Sequence, residues 1–362
     1  MKVFIKYSYI TVFVFLIGFI GVFSFLGVGE TNLDAFRTSE KRLPTAQPKW
    51  NWQVESVKKY FTKLESYIND VFSFRNELIG LNSSVLYKMG ISSNPNKILI
   101  GKNGYLFLGN SYDRVIDQIK GKTLFDEKSL KSWSQSFLLR KKYLENQGIP
   151  FYMAIVPKKH SVYSEYLPEF ISVSDNDNFK QIRENDLGLN IMYLRDTLVA
   201  SKLYWGDFLY NKTDSHWSQI GAYIGYVEII NQLKTSLPNI EFIKLDKEDF
   251  NVLPSPGGQN RHILNITIPV EDFTVQIVKS QKWDANIIKT NYSGDTLPFN
   301  YWDDVSYHEK AIVYNNKKPY TLLVLEDSFS IKLSKFLNQS FGKIIYCHYN
   351  EAEAEELTQF IE

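Results

Sequence analysis

The stretch Thr213-Asp214-Ser215-His216-Trp217-Ser218-Gln219 puts a carboxylate and an imidazole two positions apart, at the mouth of a segment with helical periodicity. A serine hydroxyl is a weak nucleophile until a base takes its proton, and a neutral imidazole suits that task near pH 7. His216 fits the base. Asp214 fits the carboxylate that fixes its tautomer and stabilises the imidazolium formed during attack. The nucleophile is expected 112 positions later, where the apolar run Tyr320 to Leu325 ends in Glu326-Asp327-Ser328-Phe329-Ser330 and a second helix-like segment follows. A serine on a strand-to-helix turn is held exposed. The first turn of the following helix offers free backbone N–H groups and a positive dipole end to a developing oxyanion. Such a set performs acyl transfer and needs neither metal nor cofactor.

Each residue also has a plainer use. Asp214 and Ser215 are both good helix caps, while Trp217, Ile220, Tyr223 and Ile224 read as the apolar face of a helix over His216 to Lys234. Trp217 and Tyr223 are candidate substrate-binding rings through their nearness to His216, with the core as the alternative. Lys158, Lys159 and His160 follow the strand-like run Pro150 to Pro157, where open α/β sheets bind ligands. The favoured reading there is a solvated basic loop. His262, His308 and His348 lack ligand spacing, so no metal site is expected.

The order Asp-x-His-Trp first and Asp-Ser-Phe late resembles the AlgX/AlgJ family of SGNH-hydrolase-like exopolysaccharide O-acetyltransferases. Gly101-Lys102-Asn103-Gly104-Tyr105-Leu106-Phe107-Leu108 and Asn69-Asp70-Val71-Phe72-Ser73-Phe74-Arg75 extend the resemblance, as do Glu40-Lys41-Arg42 and Pro44. It implies that Asp214, His216 and Ser328 form the triad, and that an acetyl group rides on Ser328 to a hydroxyl of a cell-surface or exported polysaccharide. A multi-pass membrane acyltransferase would supply the acetyl groups from across the membrane. This chain has Glu326 where many SGNH enzymes have Gly before the Asp-Ser pair. In place of the family's Gly-Asp-Leu-like segment it has Gly257-Gly258-Gln259-Asn260-Arg261-His262-Ile263-Leu264, read as a loop near the site. An extracytoplasmic esterase, with water as acceptor, or a non-catalytic polysaccharide-binding assembly subunit would keep the same fold.

The elements that must position these residues read as an SGNH-hydrolase-like α/β domain: a mostly parallel sheet flanked by helices, with a β-rich insertion and an N-terminal transmembrane helix. Asn103-Gly104 marks a turn between Leu99-Ile100 and Tyr105 to Leu108. A helix over Ser129 to Gln147 leads to the strand within Pro150 to Pro157. Leu189 to Leu194 is a second strand, and Asp196 to Ser201 a short helix. Between Phe250 and Asn315, segments such as Phe273 to Val278 suggest the insertion. Cys347, the single cysteine, excludes an internal disulfide and reads as a buried strand residue. Glu351 to Glu362 reads as an acidic amphipathic helix, and the resemblance implies a further strand beyond it.

At the N-terminus, Lys2 and Lys6 precede Ile10 to Val28, an uncharged run of 19 residues, and Glu30 and Asp34 follow it. At ~1.5 Å of rise per residue this spans a bilayer core of roughly 30 Å. No Ala-x-Ala-like cleavage site marks a signal peptide. The positive-inside rule leaves the N-terminus in the cytoplasm and the rest on the extracytoplasmic side, periplasmic or cell-surface. The expected organisation is an anchor over 1–29, a stalk and helical lead-in over 30–98, and a catalytic domain over 99–362. With 41 basic and 40 acidic residues, bulk charge offers no case for nucleic acid.

Overall fold

A computed structural model describes residues 2–40, 42–50, 54–185, 188–278, 282–283, 287–298, 310–353 and 357–361. It comprises two compact units, Met1–Ile100 with Asn260–Pro269, and Gly101–Gln259 with Val270–Glu362. His308 and part of the predicted acidic C-terminal helix lie outside the described residues.

In the first unit a helix spans Lys2–Phe25, and its stretch Tyr7–Ser24 is long and apolar enough to cross a membrane, with none of it buried inside the protein. The Ser73 N–H donates to Ser24 Oγ at 2.9 Å and the Phe74 N–H to Gly29 O at 2.7 Å. The stalk contains a helix over Leu33–Glu40, with Pro44 beyond its end rather than inside it. The helical lead-in continues as two helices, Val54–Val71 and Arg75–Lys88, broken where Phe74 takes a left-handed φ of 59°. The segments around 40–45 and 69–75 meet each other. Asp70 accepts from both terminal nitrogens of Arg42, at 2.8 and 2.7 Å, and from the Thr45 backbone and hydroxyl, while Arg75 pairs with Glu40 at 3.1 Å. The Arg42 bond outweighs burial and holds the Asp70 carboxyl well below the usual range.

The second unit is an α/β domain whose principal sheet is mixed. Its strand Lys343–His348 runs parallel to Thr321–Glu326 and antiparallel to Ala311–Tyr314, which pairs antiparallel with Ile288–Thr290. From Ile344 to His348 this inner strand is buried, Cys347 included, as suits an apolar run covered on both faces. Met153–Ile155 and Ile191–Tyr193 form a separate parallel pair. The predicted insertion therefore splits. Phe250–Ser255 and Asp272–Ile277 pair antiparallel with each other, whereas Ile288–Thr290 and Ala311–Tyr314 extend the sheet of the Ser328 strand.

Helices Glu127–Asn146 and Arg195–Trp205 flank these strands in sequence; the second outruns its prediction by four residues because nothing in Lys202 to Trp205 breaks a helix before Gly206. The helix Gln219–Leu233 buries 11 of its 15 residues. Gly221 and Gly225 make that depth attainable: a Cβ on Gly221 would sit 2.2 Å from Leu209 O, and one on Gly225 2.7 Å from the Trp217 ring. The chain leading to His216 thus lies directly against the helix that follows it.

Candidate active site

The helix begins at Gln219, three residues later than predicted. Ser218, not Asp214 or Ser215, caps it, its hydroxyl accepting from the N–H groups of Ile220 and Gly221. Asp214 and His216 are thereby left on a loop closed at its base by the Tyr210–Trp217 bridge and by the Ser218 N–H bonded to Leu209 O at 2.7 Å. Within the loop, Asp214 Oδ1 lies 2.9 Å from both the backbone nitrogen and Nδ1 of His216. Burial alone would raise the Asp214 carboxyl. The side-chain and backbone hydrogen bonds from His216, with Lys332 further off, hold it well below the usual carboxylate range. An ionised carboxylate only accepts, so His216 Nδ1–H donates and Nε2 is free to accept.

What Nε2 meets is Ser328 Oγ, at 2.9 Å. The strand Thr321–Glu326 ends one residue before Asp327, and the helix Ser330–Leu337 starts two residues after Ser328. Asp327 occupies two of the N–H groups expected to be free there: Oδ1 accepts from Phe329 N–H at 2.9 Å and the carbonyl from Ser330 N–H at 3.1 Å. The N–H of Ser328 itself, with no acceptor among the described residues, is left as one candidate donor to an oxyanion. The stretch Gly257 to Leu264, predicted as a loop, is corrected: it contains a short helix, Gln259–Ile263, and its start meets Asp214. Gln259 N–H donates to Asp214 Oδ2 at 3.3 Å, and a Cβ on Gly258 would press within 3.1 Å of the Asp214 Cβ.

The two predicted substrate-binding rings are corrected. Trp217 is fully buried and Tyr223 is 6% exposed, so neither offers a face to a sugar. Tyr223 packs against Phe250 and Phe336 and donates its hydroxyl to Leu245 O at 3.1 Å. Trp217 instead ties the two motifs together. Its Nε1–H donates to Phe329 O at 2.9 Å, its carbonyl accepts from Lys332 Nζ at 2.8 Å, and its ring meets that of Phe329, which also packs on His216. The solvated basic loop is corrected as well. Lys158 is partly exposed beside Asp113, but Lys159 and His160 are buried. His160 Nε2–H donates to Leu108 O at 2.9 Å, and burial pulls its imidazole down to about 3, so it is neutral. Lys159 reaches the carbonyls of the Asp214 loop. Nothing in a Lys-Lys-His run distinguishes this from surface, and Asp272, which holds the same loop, gives no sequence signal at all.

Glu326, in the position usually given to Gly, is buried; Oε2 accepts from the Ser330 hydroxyl and Oε1 has no partner among the described residues. Burial pushes its carboxyl up from 4.5 to about 7. Between those values the folded chain binds more protons than the unfolded one, so this stabilisation is complete below 4.5 and lost as pH rises through 7. Glu326→Gln should therefore flatten the dependence of Tm on pH between about 5 and 8, and raise stability at the alkaline end by up to ~3 kcal/mol. Parallel Tm–pH curves for the two proteins would refute this.

A family model described as an SGNH hydrolase-like domain, acetyltransferase AlgX, matches residues 98–297, which is 200 of the 362 residues. The chain belongs to that AlgX family. Asp214 and His216 fall inside the matched stretch and Ser328 beyond it. No curated protein matches the chain. Among solved structures, Bacillus cereus PatB1 is 16% identical over 73% of this chain and 91% of its own, with a TM-score of 0.52, which shows a shared fold. The O-acetyltransferase domain of Pseudomonas putida AlgJ is 16% identical over 73% of this chain and 84% of its own, at a TM-score of 0.40. Pseudomonas aeruginosa AlgX is 12% identical over 67% of this chain and 52% of its own, at 0.36.

Proposed function

We propose that this AlgX-family chain is an O-acetyltransferase that moves acetyl groups onto hydroxyls of a cell-surface or exported polysaccharide, with residues 99–362 as its catalytic domain. The observation that carries the reading is the hydrogen-bonded series Ser328 Oγ, His216 Nε2, His216 Nδ1, Asp214 Oδ1, with both links at 2.9 Å. As Ser328 Oγ attacks the acetyl carbonyl, its proton passes to His216 Nε2. The donor's leaving oxygen departs with that proton and acetyl-Ser328 remains. A sugar hydroxyl then gives its proton to His216 while its oxygen attacks the acetyl carbon, releasing Ser328 with the proton returned. The Ser328 N–H is one candidate donor to the oxyanion of both steps.

Incubation with an activated acetyl ester should add one acetyl mass to Ser328, and adding polysaccharide should discharge it onto sugar. Discharge to free acetate at an unchanged rate with every glycan would make the protein an esterase. No adduct and no turnover would leave a binding subunit.

The acetyl donor in this reading is a multi-pass membrane acyltransferase, and the helix Lys2–Phe25 is a single-pass anchor that leaves the catalytic domain on the extracytoplasmic side. Retention by hydrocarbon burial is insensitive to ionic screening. The protein should therefore stay in the membrane fraction through a high-salt wash, and a chain starting at Glu30 should be soluble. A mature N-terminus at or beyond residue 28 would replace the anchor with a cleaved signal.

A further inference from the structure

The short segment from Asn211 to Asp214 is gripped by two buried charges. On its carbonyl side, Lys159 Nζ donates to Asn211 O at 3.1 Å, Lys212 O at 2.8 Å and Asp214 O at 2.6 Å. An ammonium has three donors, and all three are used. The side chain is 1% exposed and runs past the rings of Phe107 and Tyr105, 5.2 and 5.8 Å from Nζ. On the N–H side, Asp272 Oδ1 accepts from Lys212 N–H and Oδ2 from Thr213 N–H, each at 2.9 Å, and Oδ2 also takes the Thr213 hydroxyl proton. The same hydroxyl accepts from Gly258 N–H at 2.5 Å.

Burying an ammonium and a carboxylate is costly, and apolar side chains of similar volume would often stabilise the fold as well or better. What this pair adds is position. Both backbone polarities of one loop are fixed immediately before a carboxylate whose oxygen must lie 2.9 Å from an imidazole nitrogen. The Lys159 bond to the Asp214 carbonyl itself restrains rotation of the following peptide, which would otherwise swing His216 away from the Asp214 carboxylate.

We propose that Lys159 and Asp272 are the two jaws of a charge clamp that orients Asp214 toward His216, which makes both of them positioning residues for acyl transfer. The proposal rests on the reading of Ser328, His216 and Asp214 as the reacting groups. Neither residue touches the reacting atoms. Their removal should lower kcat while leaving KM for a small ester near its parental value, since displacing a reacting group by ~1 Å can cost ~10²-fold.

The test uses the full chain and its Lys159→Met, Asp272→Asn and doubly substituted variants, with Lys158→Met as the control for loss of a neighbouring positive charge. Two signals are read beside thermal melting: the far-downfield Nδ1 proton resonance of the Asp214–His216 pair, and kcat and KM with an activated acetyl ester. The folded single variants should lose or shift the resonance upfield and lose roughly 10–100-fold in kcat, with KM within about twofold. The double variant should be little worse than the poorer single one, as for residues acting as one unit. Lys158→Met should match the parent. Parental resonance and kcat in folded Lys159→Met overturn the proposal; if that variant does not fold, the same result in Asp272→Asn does so. Failure of both to fold would make the pair a folding determinant and also overturn it. A parent without ester turnover would sink the acyl-transfer reading alone, since the resonance reports the clamp independently.

Discussion

Ser328→Ala should lower acyl transfer from an activated acetyl ester by about 10³-fold or more, and His216→Ala should do nearly the same. The two groups act as one device: the hydroxyl forms the acyl bond and the imidazole carries its proton, so removing both should cost little more than removing either. The fold should survive. Ser328 is half-buried and among the described residues its hydroxyl bonds only His216 Nε2, so deleting it opens no apolar cavity and leaves a partly solvated imidazole nitrogen to find water. Its stability should stay within ~1 kcal/mol of the parent. The measurement is acetyl adduct formation by intact-protein mass spectrometry together with ester turnover. A Ser328→Ala protein that still acquires an acetyl group and turns over at the parental rate would remove Ser328 from the mechanism.

Asp214→Asn is the subtler change and should cost ~10³–10⁴-fold in kcat. The side chain keeps its volume, but Oδ1 now serves both the backbone N–H and Nδ1 of His216 while Oδ2 accepts from Gln259 N–H, so an amide that keeps its oxygen on Gln259 turns its NH₂ toward His216. The difference is at Nδ1. A carboxylate accepts there and enforces the Nδ1–H tautomer, whereas an amide presenting its NH₂ group turns Nδ1 into an acceptor and puts the proton on Nε2, facing Ser328 Oγ. The base is then already occupied when the hydroxyl must be deprotonated. KM for a small ester should change little, because Asp214 does not face substrate in this scheme. Turnover within tenfold of the parent would show that the imidazole does not depend on Asp214 for its tautomer.

The candidate groups were legible in the sequence because each sits in a local pattern. A carboxylate two residues before an imidazole can bond it within one turn of chain, and an apolar strand ending at Asp327-Ser328 presents the serine at its tip. The apolar helix near the N-terminus was equally legible, since length and lack of charge are properties of a segment rather than of its surroundings. What a helix faces is not such a property. Trp217 and Tyr223 have the same 3.6-residue relation to the helix whether they line a groove or a core, and packing against Phe250, Phe329 and Phe336 decides for the core. The helix start moved from His216 to Gln219 for a related reason. Asp214, Ser215 and Ser218 are all good caps, and the choice of Ser218 follows from Leu209 and Phe208 holding its backbone and hydroxyl, which frees Asp214 for His216.

Lys159 and Asp272 lie furthest from what sequence determines. In a chain with 41 basic and 40 acidic residues any one lysine reads as solvated surface. Only the folded chain brings three carbonyls of residues 211–214 around one ammonium and two N–H groups of the same loop onto one carboxylate, across 52 to 60 residues of sequence. Residue type and spacing determined which groups can react. The tertiary structure alone decided what holds them at 2.9 Å, because backbone N–H and carbonyl groups are identical in every residue and their partners are set by three-dimensional proximity.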